Sequence, residues 1–351
     1  MKFRIQTKIA AMLLAVAMSA GLYGCAAPAT PAAPADAVAS DNAPETDTAA
    51  DLGNFPSRNI SWIVPAPAGA PLDLPTRVIM EAVDLGANIM IENIPGAGNV
   101  PGILEASNRA ADGYTILTTN TGGMVAQPAL IHTGYVPSDF RHIAMLMPVY
   151  AFPVVVSADS DIHSAEDFVS FVTSGESFNY SATNPGSTSH LAIISALDGL
   201  GSTAGTFVPY VGGAEVLAAV LNGEIDFGVI PPHMARPNAE SGATRTVIVL
   251  ADEPDLMSPG IPVISEFGVN SVGRFNNTIF VSVHADTPEV IVQYLKERIN
   301  TAILSDEYQD YLRQTTGIDS FDTVTEEWLT EHVSFWYETI SEALEEFGLG
   351  Q

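Results

Sequence analysis

Three short segments combine small residues, hydroxyls and amides at places where a strand-like run gives way to a helix-like run. They are PAPAGAPLD at 65–73, TTNTGGM at 118–124 and TNPGSTSHL at 183–191. Small residues let a ligand approach the backbone closely, and the free N–H groups of a helix start favour negative charge. None of the segments contains Lys or Arg. We therefore expect them to bind an anion through backbone amides, hydroxyls and ordered water.

The sequence gives little support for a catalytic role of the same residues. Asp73 is expected to act first as the N-cap of the helix that follows, and only second as a ligand contact. Ser187, Ser189 and His190 are too close in sequence to form a nucleophile–base pair unaided. The glycines of 96–102 are interrupted by prolines and lack the acidic residue of a dinucleotide site. The seven His residues show no metal spacing. We predict a binding protein, not an enzyme, with no cofactor and no metal.

The elements that must position these segments follow an alternating pattern. Helices are expected near 74–85, near 100–110, in SAEDFVSFVTSG, TSHLAIISALDGLG and GAEVLAAVLNG, and throughout the last third of the chain. Strands are expected in NISWIVPA, ANIMIENI, YTILTTN, AMLMPVYAFPVVVSA (one or two strands), SFNYSAT, GTFVPYV, EIDFGVI, TRTVIVLA and NTIFVSVHA. The alternation predicts an α/β fold with helices on both sheet faces. Ligands of such folds bind at the carboxyl ends of strands, where these segments lie.

The first residues indicate export. A basic head, a short apolar run and small residues precede Cys25, which is the one cysteine of the chain. We interpret 1–24 as a lipoprotein signal peptide and Cys25 as the lipidated residue. Residues 25–54 are mostly Ala, Pro, Thr and Asp, so they cannot bury enough apolar surface to fold. This segment is predicted to be a disordered tether to the cell membrane.

The charge balance excludes some partners. With 13 basic and 41 acidic residues, the formal net charge is −28. This disfavours nucleic acid and anionic lipid as partners of the folded part. A site for an anionic ligand must overcome this repulsive field locally.

An ordered set of motifs resembles one family. The segments FPSRNISWIVPAPAGAPLD, IENIPGAGN, ADGYTIL, NYSATNPGSTSHLA, VPYVGGAEVLAAVLNGEIDFGV and GIPVISEFGV run in order from about residue 55 to 348. Together they resemble the extracytoplasmic solute-binding proteins of tripartite tricarboxylate transporters, the TctC or Bug family.

The resemblance implies a two-lobed, periplasmic-binding-protein-like fold of type II (a Venus flytrap) with a ligand cleft between lobes. Residues 55–154 and 278–351 would form lobe I, and 155–277 lobe II. The chain would act as a monomer that captures a small organic carboxylate: a di- or tricarboxylate, an acidic amino acid or an aromatic acid. It would deliver this ligand to integral-membrane permease subunits, facing the periplasm or the cell exterior. The alternative is a sensing module for a membrane sensor kinase.

The resemblance and the loop chemistry together give the expected ligand-binding residues. They are Ala68, Gly69, Ala70, Asp73, Asn120, Thr121, Thr183, Asn184, Gly186, Ser187, Thr188 and His190. Two departures from the family pattern affect ligand choice. Gly69-Ala70 stands where the family has paired glycines, and Ile230-Pro231 replaces an Asp-Asn pair. Lost polar contacts there would suit a less polar or aromatic carboxylate.

Overall fold

The computed structural model describes residues 52–210 and 212–346. The predicted signal peptide, Cys25 and all but the last three residues of the predicted tether lie outside this part.

The first sheet has five strands in the order β2-β1-β3-β10-β4. Its strands are β1 (Ile60–Val64), β2 (Ile89–Asn93), β3 (Thr115–Asn120), β4 (Phe140–Met145) and β10 (Ile279–His284). β1 pairs in parallel with β2 and β3, while β10 runs antiparallel to β3 and β4. β1 and β3 are buried along most of their length, which is typical of strands covered on both faces.

The second sheet also has five strands, in the order β7-β6-β8-β5-β9. They are β5 (Phe152–Ser157), β6 (Phe178–Ala182), β7 (Gly205–Phe207), β8 (Phe227–Val229) and β9 (Thr244–Leu250). β6 pairs in parallel with β7 and β8, and β5 runs antiparallel to β8 and β9. The carboxyl ends of three parallel strands are therefore available in each sheet.

Ten α-helices surround the sheets in the described part of the chain. They are α1 (Asp73–Ala82), α2 (Val100–Ser107), α3 (Gln127–Leu130), α4 (Ala165–Thr173), α5 (Thr188–Gly199), α6 (Gly213–Leu221), α7 (Pro232–Glu240), α8 (Glu289–Ile303), α9 (Asp306–Thr316) and α10 (Glu326–Glu346). A π-helical turn, Gly122–Ala126, leads directly into α3. Ser164 caps α4 as predicted, since its side chain accepts a hydrogen bond from the Asp167 N–H.

Two crossing segments connect the sheets, one between β4 and β5 and one between β9 and β10. They pair with each other at Tyr150 and Asn277, whose backbone N–H and C=O groups exchange two hydrogen bonds of 2.8 Å. The predicted boundary after residue 154 falls inside β5, and that after residue 277 falls just before β10. The lobe boundaries themselves stay predictions.

Most predicted elements are present, but α3 and α7 were not expected. α7 contains prolines at 232 and 237, and Pro removes a backbone donor and disfavours a helix interior. In α7, however, Pro232 occupies the first helical position, where the missing N–H has no intrahelical partner to lose. The helix therefore begins at Pro232, although Pro is unfavourable in a helix interior.

Candidate functional site

One cavity of about 180 Å³ lies where the loops of both sheets meet. Residues from the first sheet's loops, the second sheet's loops and both crossing segments line it. The first sheet contributes Ala66, Ala70, Pro71, Leu72, Gly98, Asn99, Asn120, Gly122, Gly123 and Gln127. The second contributes Thr183, Asn184, Ser187, Thr188, Gly212, Gly213, Pro231, His233, Met234 and, from β5, Phe152, and the crossings and β10 contribute Tyr150, Asn277 and Ile279. No Lys or Arg occurs among these described lining residues.

The cavity brings together half of the sequence-predicted site residues. Ala70, Asn120, Thr183, Asn184, Ser187 and Thr188 line it. The other six lie beside it and are not among the lining residues: Ala68, Gly69, Asp73, Thr121, Gly186 and His190. Cys25, the predicted lipidation site, lies outside the described residues.

Asp73 is a structural brace, and the prediction that it caps α1 was wrong. Leu72 occupies the N-cap position and Asp73 is the first helical residue. The buried Asp73 carboxylate accepts hydrogen bonds from the Gly69 N–H (2.7 Å), Asn93 Nδ2 (2.8 Å) and Arg77 Nε (2.6 Å). Burial alone would raise the pKa of Asp73, but the hydrogen bonds outweigh it and hold the pKa below its ordinary value.

This brace explains why the first loop is rigid. Asn93 Nδ2 also donates to the Ala66 carbonyl at 2.9 Å, so one amide connects both ends of the loop. Gly69 has a φ of +81°, which other residues adopt only at a cost. The loop is thus held from within, and the segment from Ala70 to Leu72 faces the cavity at the start of α1.

Asn120 organises the second predicted loop. Its side-chain oxygen accepts hydrogen bonds from the Gly123 N–H (2.8 Å) and from Asn99 Nδ2 (3.2 Å). Gly122 lies close to the start of α5, since a Cβ built on it would lie 3.9 Å from Thr188 Oγ1. Thr121 is fully buried behind this turn, and its hydroxyl accepts from the Thr278 N–H. The turn therefore presents glycine backbone to the cavity.

The third loop is a hydroxyl cluster at the start of α5. Ser187 caps the helix by accepting from the His190 N–H, and it donates to the Asn184 carbonyl at 2.7 Å. The Thr183 and Ser187 hydroxyls each lie within 3 Å of Ser189 Oγ. The cluster fixes this helix start against the cavity.

His190 packs within the third loop. Its Nδ1 accepts the Gly186 N–H at 2.9 Å, and its ring lies 3.9 Å from the Phe207 ring centre. Burial lowers the pKa of His190 to about 4, so the ring is neutral near pH 7. Gly186, at φ +71°, allows this tight turn. His190 therefore shapes the loop.

The start of α7 forms a part of the cavity that the sequence reasoning missed. Pro231 precedes the helix, and His233 and Met234 from its first turn line the cavity. Tyr150 and Phe152, whose ring centres are 5.6 Å apart, continue this surface. The sequence does contain a signal for this helix. Pro231 and Pro232 follow the buried strand β8, and Pro is favoured in the first turn of a helix.

The cavity is electrostatically suited to an anion despite the acidic chain. The starts of α1, α5, α6, α7 and the π-helical turn all reach it. A helix start carries partial positive charge, because its first N–H groups have no acceptor within the helix. Arg77, which lies near the first loop, is bound to Asp73. The attraction for an anion here thus comes from the backbone.

No group of three or more His, Cys, Asp or Glu residues that could hold a metal occurs between residues 52 and 346, residue 211 aside. Within the same described ranges, no helix has the length and apolarity needed to cross a bilayer.

Comparison with curated proteins finds relatives along most of the chain. A UPF0065 protein in the gbd 5' region of Cupriavidus necator is 26% identical over 275 residues, which cover 75% of this chain and 80% of that protein. Protein BugT of Bordetella pertussis is 24% identical over 261 residues, covering 72% of this chain and 78% of BugT.

Solved structures of the same kind share the fold. Rpa4515 of R. palustris, solved with adipate, superposes with a TM-score of 0.73 at 22% identity and covers 84% of this chain and 98% of its own. MatC (Rpa3494) from Rhodopseudomonas palustris with bound malate gives 0.67 at 23% identity, covering 82% and 100%. The periplasmic binding protein BugD gives 0.70 at 22% identity, covering 84% and 99%. These likenesses confirm the predicted two-lobed, periplasmic-binding-protein-like fold.

A family model also matches the sequence of this chain. The model described as the tripartite tricarboxylate transporter family receptor, TctC, matches residues 76–330. That range contains the loops after β3, β6 and β8 and both crossing segments. Because the match covers most of the chain and the fold agrees with it, this chain belongs to the TctC family of tripartite tricarboxylate transporter receptors.

Proposed function

We propose that this chain is an extracytoplasmic solute-binding protein that captures a small organic carboxylate between its lobes. The observation that carries the proposal is the convergence of helix starts from both sheets on one cavity. Backbone N–H groups there offer the hydrogen bonds that a carboxylate accepts. Malate and adipate in two structural relatives support the same ligand class.

The ligand would also stabilise the closed arrangement of the lobes. We propose lobe I at 55–154 and 278–351 and lobe II at 155–277, with the paired crossing segments as the hinge. Only a closed cleft lets one ligand contact both Ala70, in the loop after β1, and Thr188, at the start of α5 after β6. A ligand with this differential affinity shifts the population toward closure.

Calorimetry and thermal-shift assays test the binding function. The panel contains dicarboxylates, tricarboxylates, acidic amino acids and aromatic acids. At least one carboxylate is expected to bind and to raise the melting temperature, because ligands that bind only the folded state stabilise it. Failure of every carboxylate to bind, while the protein is folded, would contradict the proposal.

A matched pair of variants locates the binding. Ala70 lines the cavity, whereas Ala68, two residues earlier in the same loop, is exposed and outside the lining. Ala70→Trp should fill the cleft and abolish binding, while Ala68→Trp should leave binding unchanged. Equal effects of the two substitutions would place the ligand elsewhere.

Delivery to membrane subunits is the second part of the proposal. The family is one of transporter receptors, not enzymes, and we propose permease subunits of a tripartite tricarboxylate transporter as partners of the monomeric chain. Deleting the gene should abolish uptake of the bound carboxylate. Normal uptake combined with loss of a transcriptional response to that carboxylate would favour a sensing role.

We also propose that Cys25 carries a lipid that anchors the exported chain, with residues 25–54 as the tether. Cys25→Ser should move the protein from the membrane fraction to the soluble exported fraction. Mass spectrometry of the mature chain checks the modification directly, and an unmodified Cys25 in membrane-bound protein would rule it out.

A further inference from the structure

Two cavity residues at the hinge, His233 and Asn277, have buried polar atoms with no hydrogen-bond partner among the described residues. A third, Tyr150, contacts both of them. We call Tyr150, His233 and Asn277 the hinge wall. The atoms without a partner are both His233 ring nitrogens and the Asn277 side-chain oxygen. All three side chains belong to residues that line the cavity. Buried polar groups in native proteins are nearly always paired, so this cluster indicates an external partner.

The hinge wall is held in place by the fold. Tyr150 and Asn277 are joined by backbone hydrogen bonds between the crossing segments, and Asn277 Nδ2 donates to Tyr150 Oη at 2.8 Å. The His233 ring meets the Tyr150 ring edge to face, with centres 6.3 Å apart. His233 is therefore positioned by packing, and its two buried nitrogens have no partner among the described residues.

The wall offers both donors and acceptors. Burial lowers the pKa of His233 to about 4, so near pH 7 the neutral ring has one N–H donor and one bare nitrogen. Tyr150 Oη accepts from Asn277, which leaves its O–H free to donate and the Asn277 oxygen free to accept. Reversing the Asn277 amide would still leave the wall with one donor and one acceptor besides His233.

This mixture selects among groups on a ligand. An ionised carboxylate only accepts hydrogen bonds and an ammonium only donates them, whereas a hydroxyl does both. A hydroxyl can therefore pair with both the donors and the acceptors of the uncharged hinge wall. It does so without burying a second charge, which would cost free energy.

We propose that the hinge wall is a subsite for a hydroxyl group, so that the ligand is a hydroxy-substituted carboxylate. This inference rests on the proposed carboxylate-binding function. The helix starts bind the carboxylate, and the hinge wall discriminates the hydroxylated compound from its unsubstituted parent.

Calorimetry with matched compounds tests the subsite. The probes are succinate and malate, glutarate and its 2- and 3-hydroxy derivatives, and benzoate with its three hydroxybenzoates. On at least one skeleton, the hydroxylated compound should bind about tenfold more tightly than the parent, the effect of roughly one additional hydrogen bond. If unsubstituted carboxylates bind and no hydroxylated form binds more tightly, the subsite is refuted while the carboxylate function stands. If neither these probes nor any carboxylate of the wider panel binds, the carboxylate function itself is contradicted.

The variant His233→Phe assigns the discrimination to the wall. It should reduce the hydroxyl preference, measured as the ratio of the two affinities within the same variant, to less than about threefold. Because the His233 nitrogens have no partner among the residues that the structure describes, the melting temperature should stay equal or rise, whereas replacing a structural histidine would lower it. His163→Phe, an exposed site away from the cavity, is the matched control. Tyr150→Phe, which removes only a hydroxyl, gives a second test if His233→Phe does not fold. An unchanged hydroxyl preference in the folded variants would overturn the assignment.

Discussion

The first loop at 65–73 and the start of α7 at 231–234 bound the same cavity in opposite ways. In the loop, the polar groups are satisfied by the protein, and the Asp73 carboxylate has three internal donors. At α7, both nitrogens of His233 have no partner among the described residues. The loop is built to hold a shape, whereas α7 keeps hydrogen-bonding capacity for something outside the chain. A polar residue near a cleft is therefore informative only once its partners are known.

The largest expected effect follows from removing the loop's brace. Asp73→Asn replaces a charged acceptor and turns an amide N–H₂ toward donors from Gly69, Arg77 and Asn93. Losing a buried charged hydrogen-bond acceptor should lower the free energy of unfolding by about 2–4 kcal/mol. Urea denaturation measures this loss.

Asp84→Asn is the control for this prediction. Asp84 also accepts a backbone N–H, from Gly86 at 2.9 Å, but it is exposed. We expect its replacement to change stability by less than about 0.5 kcal/mol. Similar losses for both variants would show that the Asp73 hydrogen bonds do not brace the loop.

The two regions should also differ in how their contribution to stability depends on pH, with a smaller effect than that of Asp73→Asn. The folded-state pKa of His233 is lowered to about 4 by burial, against about 6.5 when unfolded. Above about pH 6.5, His233 is neutral in both states and does not reduce stability. As the pH falls toward 4, the unfolded chain binds a proton at His233 that the folded chain does not, so the free energy of unfolding falls by about 1.4 kcal/mol per pH unit. His233→Phe should therefore reduce the slope of the free energy of unfolding against pH by up to about 1.4 kcal/mol per pH unit between pH 6.5 and pH 4. Denaturation between pH 7 and pH 4 measures it.

Asp73 should respond in a different window. Its folded-state pKa is lowered, so its contribution is present above the unfolded value of about 3.9 and is lost as the pH falls through the folded value. Asp73→Asn should therefore alter the slope below about pH 4 and leave the slope between pH 6.5 and 4 unchanged. Curves for His233→Phe that run parallel to wild type between these values would contradict the assignment to His233.

The same two regions show how far the sequence predicted the molecule. Alternation of strand and helix patterns gave the α/β class, and the ordered motifs gave the family. Small and hydroxyl residues located three loops near the cavity, because these residue types mark helix starts. The Asp73 carboxylate is bound by Arg77 and Asn93. Asn93 ends β2, and α1 lies between it and the loop along the chain. Local pattern could not reveal that contact.

His233 was missed for a different physical reason. The segment from Ile230 to Pro237 contains three prolines, and the propensity of Pro argues against a helix. Tertiary packing and the first-turn position of Pro232 override that propensity. The partners of the wall, Tyr150 and Asn277, are 127 residues apart and meet only because the two crossing segments pair.

A crystal structure with the tightest-binding carboxylate of the panel tests the central claim most directly. It should show the carboxylate oxygens within about 3 Å of backbone N–H groups at the helix starts, with Ser187 and Thr188 beside them and no basic side chain in contact. A carboxylate paired with an Arg or Lys side chain, or bound outside this cavity, would contradict the account.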